Sequence, residues 1–177
     1  GDATNRGLEL SMGSERARKV SFNMAYTYLN AKYTRHDPFV SGSDANADGN
    51  DDVYDLVGNY LPRTPKHSLE VMGYYKATEQ LTLISELMMK SKSYADEENQ
   101  VQMPGYGFLN LQGRYATKLA GNALEFFIKV NNVLDNHYFR TAYVTRDRNG
   151  DDVLTQEDAS IFVDPGRVYY AGVNYAF

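Results

Sequence analysis

The sequence predicts an all-β chain, an antiparallel up-and-down transmembrane β-barrel segment of about seven strands. Three observations predict it. Apolar and polar residues alternate with a period of two over seven stretches. The connections between those stretches are alternately short and long. No apolar run approaches the ~18 residues that a membrane-spanning helix needs, which leaves tilted strands of about ten residues as the only way across a bilayer. The aromatic load, 15 Tyr and 8 Phe with no Trp, suits strands with one greasy face, and helical periodicity is nowhere sustained.

The stretches justify the reading in order. Near 6–13, Leu8 and Leu10 share a face. Near 19–33, Val20, Phe22, Met24, Tyr26 and Tyr28 alternate with Ser21, Asn23, Ala25 and Thr27. The third, 66–77, carries Leu69 and Val71 on its apolar side, and the fourth, 80–93, carries Leu81, Leu83 and Leu87. In the fifth, 106–117, Leu109, Leu111 and Tyr115 oppose Asn110, Gln112 and Arg114. The sixth, 122–134, sets Leu124, Phe126, Ile128 and Val130 against Glu125, Phe127, Lys129 and Asn131. The last, 167–177, aligns Tyr169, Ala171, Val173, Tyr175 and Phe177. These apolar sets are the expected lipid face, and charges inside the strands, such as Arg114, Glu125 and Lys129, sit on the other side.

A soluble sandwich would show the same alternation; the connections decide. Those at 14–18, 78–79 and 118–121 are short, whereas those at 34–65, 94–105 and 135–166 are long. In an up-and-down sheet alternate connections lie on opposite rims, so all the tight turns fall on one rim and all the long loops on the other, the asymmetry of outer-membrane barrels. The long loops hold 16 of the 23 acidic residues, which makes that rim anionic. Net charge −5 excludes nucleic acid as a partner, and the absence of Cys excludes disulfides and thiolate metal sites. No combination of residues suggests catalysis, and the sequence shows no signal peptide at Gly1, as expected if it was removed or the chain is a piece.

Two acidic loops have calcium-loop spacing. Asp147, Asn149, Asp151, Thr155 and Asp158 occupy the oxygen-donor positions of a twelve-residue EF-hand loop with the Val153 carbonyl, although Asp152 replaces the usual Gly and Asp158 the usual bidentate Glu. Asp44, Asn46, Asp48, Asp52 and Asp55, with the Asn50 carbonyl, repeat the spacing with Gly49 in place. Neither loop is flanked by amphipathic helices, and solvated Asp/Asn/Gly turns would look alike. Calcium is the expected cofactor.

The terminal run Val168 to Phe177 resembles the assembly signal of bacterial outer-membrane proteins, in which Tyr175 and Phe177 would be the handle for the assembly machinery. The match narrows further. Pro165–Phe177 resembles the closing strand of TonB-dependent outer-membrane receptors, and Val130-Asn131-Asn132-Val133-Leu134-Asp135-Asn136-His137-Tyr138 resembles their penultimate segment. Arg6-Gly7-Leu8-Glu9-Leu10, Tyr26–Tyr33 and Leu61–His67 are similar to earlier strands and a loop of the same family, in the family's order.

The resemblance implies a siderophore or metal-chelate receptor in the bacterial outer membrane, with a plugged barrel of the 22-stranded type of which residues 1–177 supply the C-terminal part. The plug, and the segment through which it contacts the TonB complex, are expected elsewhere; the other partners are the rest of the barrel and outer-membrane lipid. Candidate ligand-facing residues are Arg63, Arg140 and Arg146 on the loops and Arg114, Lys129 and Tyr170 on the lumen face. The competing readings are a passive porin-like or structural barrel and a soluble calcium-binding β-domain.

Overall fold

A computed structural model describes residues 1–15, 18–40, 53–144 and 155–177. Among them there is no α-helix. The strands are β1 (Asp2–Gly13), β2 (Val20–Arg35), β3 (Phe39–Val40), β4 (Val53–Tyr54), β5 (His67–Lys76), β6 (Leu81–Lys90), β7 (Ser93–Tyr94), β8 (Gln102–Met103), β9 (Tyr106–Leu119), β10 (Asn122–Asn131), β11 (Phe139–Tyr143), β12 (Ser160–Val163) and β13 (Val168–Tyr175). Seven of them form one antiparallel sheet in the order β1-β2-β5-β6-β9-β10-β13. Each long connection carries a two-stranded ribbon: β3-β4, β7-β8 and β11-β12.

Alternation fixes the register. Met12, Met24, Val71, Leu87 and Leu109 stand in one cross-strand row, and Leu10, Tyr26, Leu69 and Met89 in the next. Toward the other edge Tyr115, Phe126 and Val173 pair in line. A one-residue slip would send these side chains to the opposite face, and every residue expected on the lipid face from the sequence lies on this one. That face is also the more exposed: Ile128 is 64% and Tyr169 67% accessible, whereas Ser21 and Asn110 on the polar face are 3% and 9%. A sheet greasy on its more exposed face is the inverse of a soluble core, and it suits lipid. β5, β6 and β10 have ten residues each, about 33 Å of strand, which at a tilt of about 40° spans the apolar band of about 25 Å.

The boundaries differ from the sequence reading where local geometry intervenes. β1 starts at Asp2 rather than near residue 6, because Arg35 and Tyr33 continue its pairing. β10 stops at Asn131 rather than 134, because Asn132 takes a φ of 51° and turns the chain. β9 runs on to Leu119, so the turn to β10 is only Ala120 and Gly121, with φ of 51° and 87°. Two positive φ angles in a two-residue hairpin match the twist of the flanking strands. The long connections, expected as plain loops, contain ribbons because aromatic and β-branched residues pair within them, as Phe139 does with Val163 and Ala142 with Ile161.

β1 and β13 each keep one unpaired edge in this sheet. Lipid offers such edges no hydrogen-bond partners.

Candidate functional site: the loop rim

The three long connections meet on one rim and are tied to one another. Arg63 takes a φ of 57°; its N–H donates to the Tyr94 carbonyl at 2.7 Å and its guanidinium to the Ala95 carbonyl at 3.2 Å. The same guanidinium lies 4.5 Å from the ring centre of Tyr143. One side chain thus joins all three loops. Asn99 accepts from the Tyr60 N–H at 2.7 Å and donates to the Tyr60 carbonyl at 2.9 Å, imitating a strand neighbour. Ala95, Val101, Met103 and Ala142 form a small buried core with Phe139, Val144 and Ala159 packed on it. Asp96, itself buried, accepts from the N–H groups of Gln100 and Val101 and holds the bend of its loop.

Below the rim the polar face carries a hydrogen-bonded wall. The Asn110 amide donates to Glu86 at 2.9 Å and its oxygen accepts from the Asn132 N–H at 2.9 Å. Asn132 in turn exchanges two bonds with Asn136. Arg114 pairs with Glu125 at 2.8 Å, and Asn174 donates to the same carboxylate. Lys129 sits in register between Gln112 and Tyr170 on this face.

Of the expected ligand-facing residues, Arg114 is therefore engaged in a lumen pair and Arg63 clasps the loops. Arg140 pairs with Asp164 at 2.7 Å. Lys129 and Tyr170 are neighbours on the lumen wall, and Arg146 lies outside the described residues. The sequence reading passed over an aromatic column beside Arg140. The rings of Tyr106 and Tyr138 stack 4.9 Å apart, and Phe108 stacks on Tyr138 at 5.5 Å. Burial raises the Tyr138 hydroxyl above its ordinary value, with Arg140 opposing the shift through a hydrogen bond. Tyr106 and Phe108 share the parity of Asn110 and Arg114, so alternation could have revealed them; Tyr138 could be found only from the turn at Asn132.

Of the expected calcium ligands, Asp44, Asn46, Asp48, Asn50, Asp52, Asp147, Asn149, Asp151 and Val153 lie outside the described residues. Asp55 accepts from the Val57 N–H at 2.9 Å in a local turn. Thr155 caps a single 3₁₀ turn, Gln156–Asp158, and the Asp158 carboxylate reaches back to the Thr155 N–H at 2.8 Å. Among the described residues no group of three or more His, Asp or Glu is placed to share a cation.

A second cluster faces outward. Residues 59–61 run beside β2, where Tyr60 bridges to Lys32. The Lys66 and Lys32 ammonium groups stand 4.0 and 4.4 Å from the centre of the Tyr60 ring, and Tyr94 stacks on the ring at 6.2 Å. Hydrogen bonding from Lys66, against the opposing effect of burial, leaves the Tyr60 hydroxyl below its ordinary value. His67 accepts from or donates to the Tyr26 hydroxyl at 2.8 Å and packs beside Tyr28.

Residues 1–133 match the family described as TonB dependent receptor-like, beta-barrel. The fold is similar to that of the siderophore receptor PiuA from Acinetobacter baumannii, with 23% identity and a TM-score of 0.74 over 97% of this chain and 21% of that one. BauA, the ferric preacinetobactin receptor of the same organism, gives 22% identity and 0.71 over 98% and 22%. FyuA, the ferric yersiniabactin uptake receptor from Yersinia pestis, gives 18% and 0.69 over 98% and 23%. At such identities the likeness is one of fold, and the chain spans between 21% and 23% of those structures. No curated protein matches the sequence.

Proposed function

The chain belongs to the TonB-dependent receptor β-barrel family, and from that premise we propose that it builds the loop-bearing part of an outer-membrane receptor for TonB-dependent uptake of a siderophore or other metal chelate. The family is one of bacterial outer-membrane transport receptors, not enzymes. The observation that carries the proposal is the joined rim above a polar wall: Arg63 and Tyr143 lock the three loops together, and Tyr106, Tyr138 and Arg140 gather stacking faces and a cation beside them. Flat aromatic faces and a guanidinium suit an anionic, aromatic-bearing chelate. The fold neighbours that handle ferric siderophores support the same substrate class. In this reading the rest of the receptor supplies the remaining strands and the plug, and the plug engages the TonB complex.

The complete receptor, placed in a strain stripped of other iron-chelate receptors, is expected to restore growth on ferric siderophores in iron-poor medium, and only when TonB is present. Growth without TonB would replace the proposal with a passive pore. Failure with every chelate offered would remove it.

Calcium on the acidic loops belongs to the same proposal. Clustered carboxylates repel one another, and a hard cation with six to eight oxygen ligands offsets that repulsion. Ordering the loops in advance would lower the entropic cost of capturing the chelate. Affinity is expected at about 10⁻⁴–10⁻³ M, the range of extracellular modules. Calorimetry on the receptor should show calcium heat that falls in Asp44→Ala and in Asp147→Ala, with magnesium competing poorly. Asp158→Ala is a poor probe, since it also removes the cap of the 3₁₀ turn. Absence of heat at several times that concentration would return both loops to solvated turns.

A further inference from the structure

We propose that the cavity beside β2, where β5 begins and β6 ends, is a binding site for the phosphate of a lipid headgroup in the outer leaflet. Its position follows from the register. His67 pairs with Tyr28, and Tyr28 with Leu8, on the lipid face. The row beneath is Leu10, Tyr26, Leu69 and Met89, so the cavity begins where the apolar band ends. Tyr26, Tyr28 and Tyr60 follow one another up the outer face from that row, as aromatic residues do at a membrane interface.

The chemistry is cationic and hydroxylic. Lys66, His67 and Lys92 line a space of about 220 Å³ together with Thr64, Ser91 and Ser93. Lys32 has the outward parity of Tyr28, and its ammonium shares the Tyr60 ring with that of Lys66. No carboxylate lines the cavity, although the chain carries net charge −5 and concentrates its acids in the loops. Two ammonium groups brought to one ring, with a third lining the same space, repel one another until an anion joins them. A phosphomonoester supplies the charge and the acceptor oxygens, and ammonium groups bind it as compact point charges.

Free phosphate and a phosphorylated lipid share this chemistry. The location selects the lipid: His67 and the Lys32–Tyr60 pair have the parity of the apolar face, not that of the lumen through which a chelate would pass, and Leu69 and Met89 in the row beneath offer a bed for acyl chains. Basic residues at a membrane surface each add a modest, additive attraction for anionic headgroups.

The test uses the complete receptor, delipidated in detergent and titrated in mixed micelles with diphosphoryl lipid A, with the same lipid dephosphorylated, and with inorganic phosphate as competitor. Diphosphoryl lipid A is expected to bind at least about tenfold more tightly than the dephosphorylated form. The variant with Lys32→Ala, Lys66→Ala and Lys92→Ala should lose most of that preference while remaining a heat-modifiable barrel. Equal binding of both lipids by the unaltered receptor would overturn the proposal, and that comparison decides even if the triple variant fails to fold. A folded triple variant with the preference intact would overturn it too. Full displacement by millimolar phosphate would mark a free-anion site instead. The result is independent of uptake: a receptor that transports no chelate still passes or fails this measurement.

Discussion

Phe126→Arg is expected to destabilise the inserted receptor by about 2–4 kcal/mol, a factor of roughly 30 to 1,000, because it places a guanidinium against lipid near midstrand. Phe126 lies in a row with Tyr115 and Val173 on the apolar face and is 44% accessible. Its neighbour Phe127 points to the polar side, where it stands in register with Arg114 and Gly172. Phe127→Arg is not free of cost. The Phe127 ring covers Gly172 so closely that a Cβ there would come within 2.5 Å of it, and a second guanidinium would oppose Arg114. A like-charged cross-strand pair costs up to about 1 kcal/mol, and here Glu125 already holds Arg114 at 2.8 Å. Phe127→Gln avoids the charge and isolates the lost ring contact. Heat-modifiability and yield in the outer membrane measure all three variants. Equal tolerance at 126 and 127 would mean that neither faces lipid, and a larger loss at 127 that the faces are assigned backwards.

The same contrast explains what was legible in the sequence. A strand with lipid on one side and a wet lumen on the other must alternate strictly, so parity could be read from Val20 to Tyr28 and from Leu124 to Val130 without knowing any partner. Parity narrows the register, since neighbours must keep one greasy face, but leaves the choice among even shifts open. The loop rim was not legible in that way. Arg63 meets Ala95 and Tyr143, 32 and 80 positions along the chain, and nothing in its own surroundings announces that it clasps loops rather than awaiting a ligand. The outward cluster is hidden for a related reason: Tyr60 sits in a stretch without alternation and acquires a face only by lying beside Lys32. Thr155-Gln156-Glu157-Asp158 shows how one pattern serves two readings. Its spacing suits a cation loop, yet it also has the Thr and acid three residues apart that cap a turn, and the capping contacts are present.

Replacing Tyr175 and Phe177 together by Ser is expected to remove most of the receptor from the outer membrane. These residues supply little packing. Phe177 is fully exposed, and its contact is the tilted ring of Tyr175 at 6.2 Å. Tyr175 pairs with Leu124, and its hydroxyl accepts from the Asn122 amide at 2.9 Å. Losing that one exposed hydrogen bond costs about 1 kcal/mol, too little to unfold a sheet of seven strands. Tyr175→Phe separates the two contributions, because it removes the hydroxyl and keeps the aromatic. If the terminal aromatics are read by the assembly machinery, Tyr175→Phe should reach the membrane at nearly the usual level, the double Ser variant should accumulate before insertion, and both should fold equally well from urea into detergent. Normal membrane levels of the double variant would end the assembly role. Poor refolding of that variant in vitro would place its defect in the sheet, where the β10–β13 pairing would then depend on Tyr175 more than its single hydrogen bond implies.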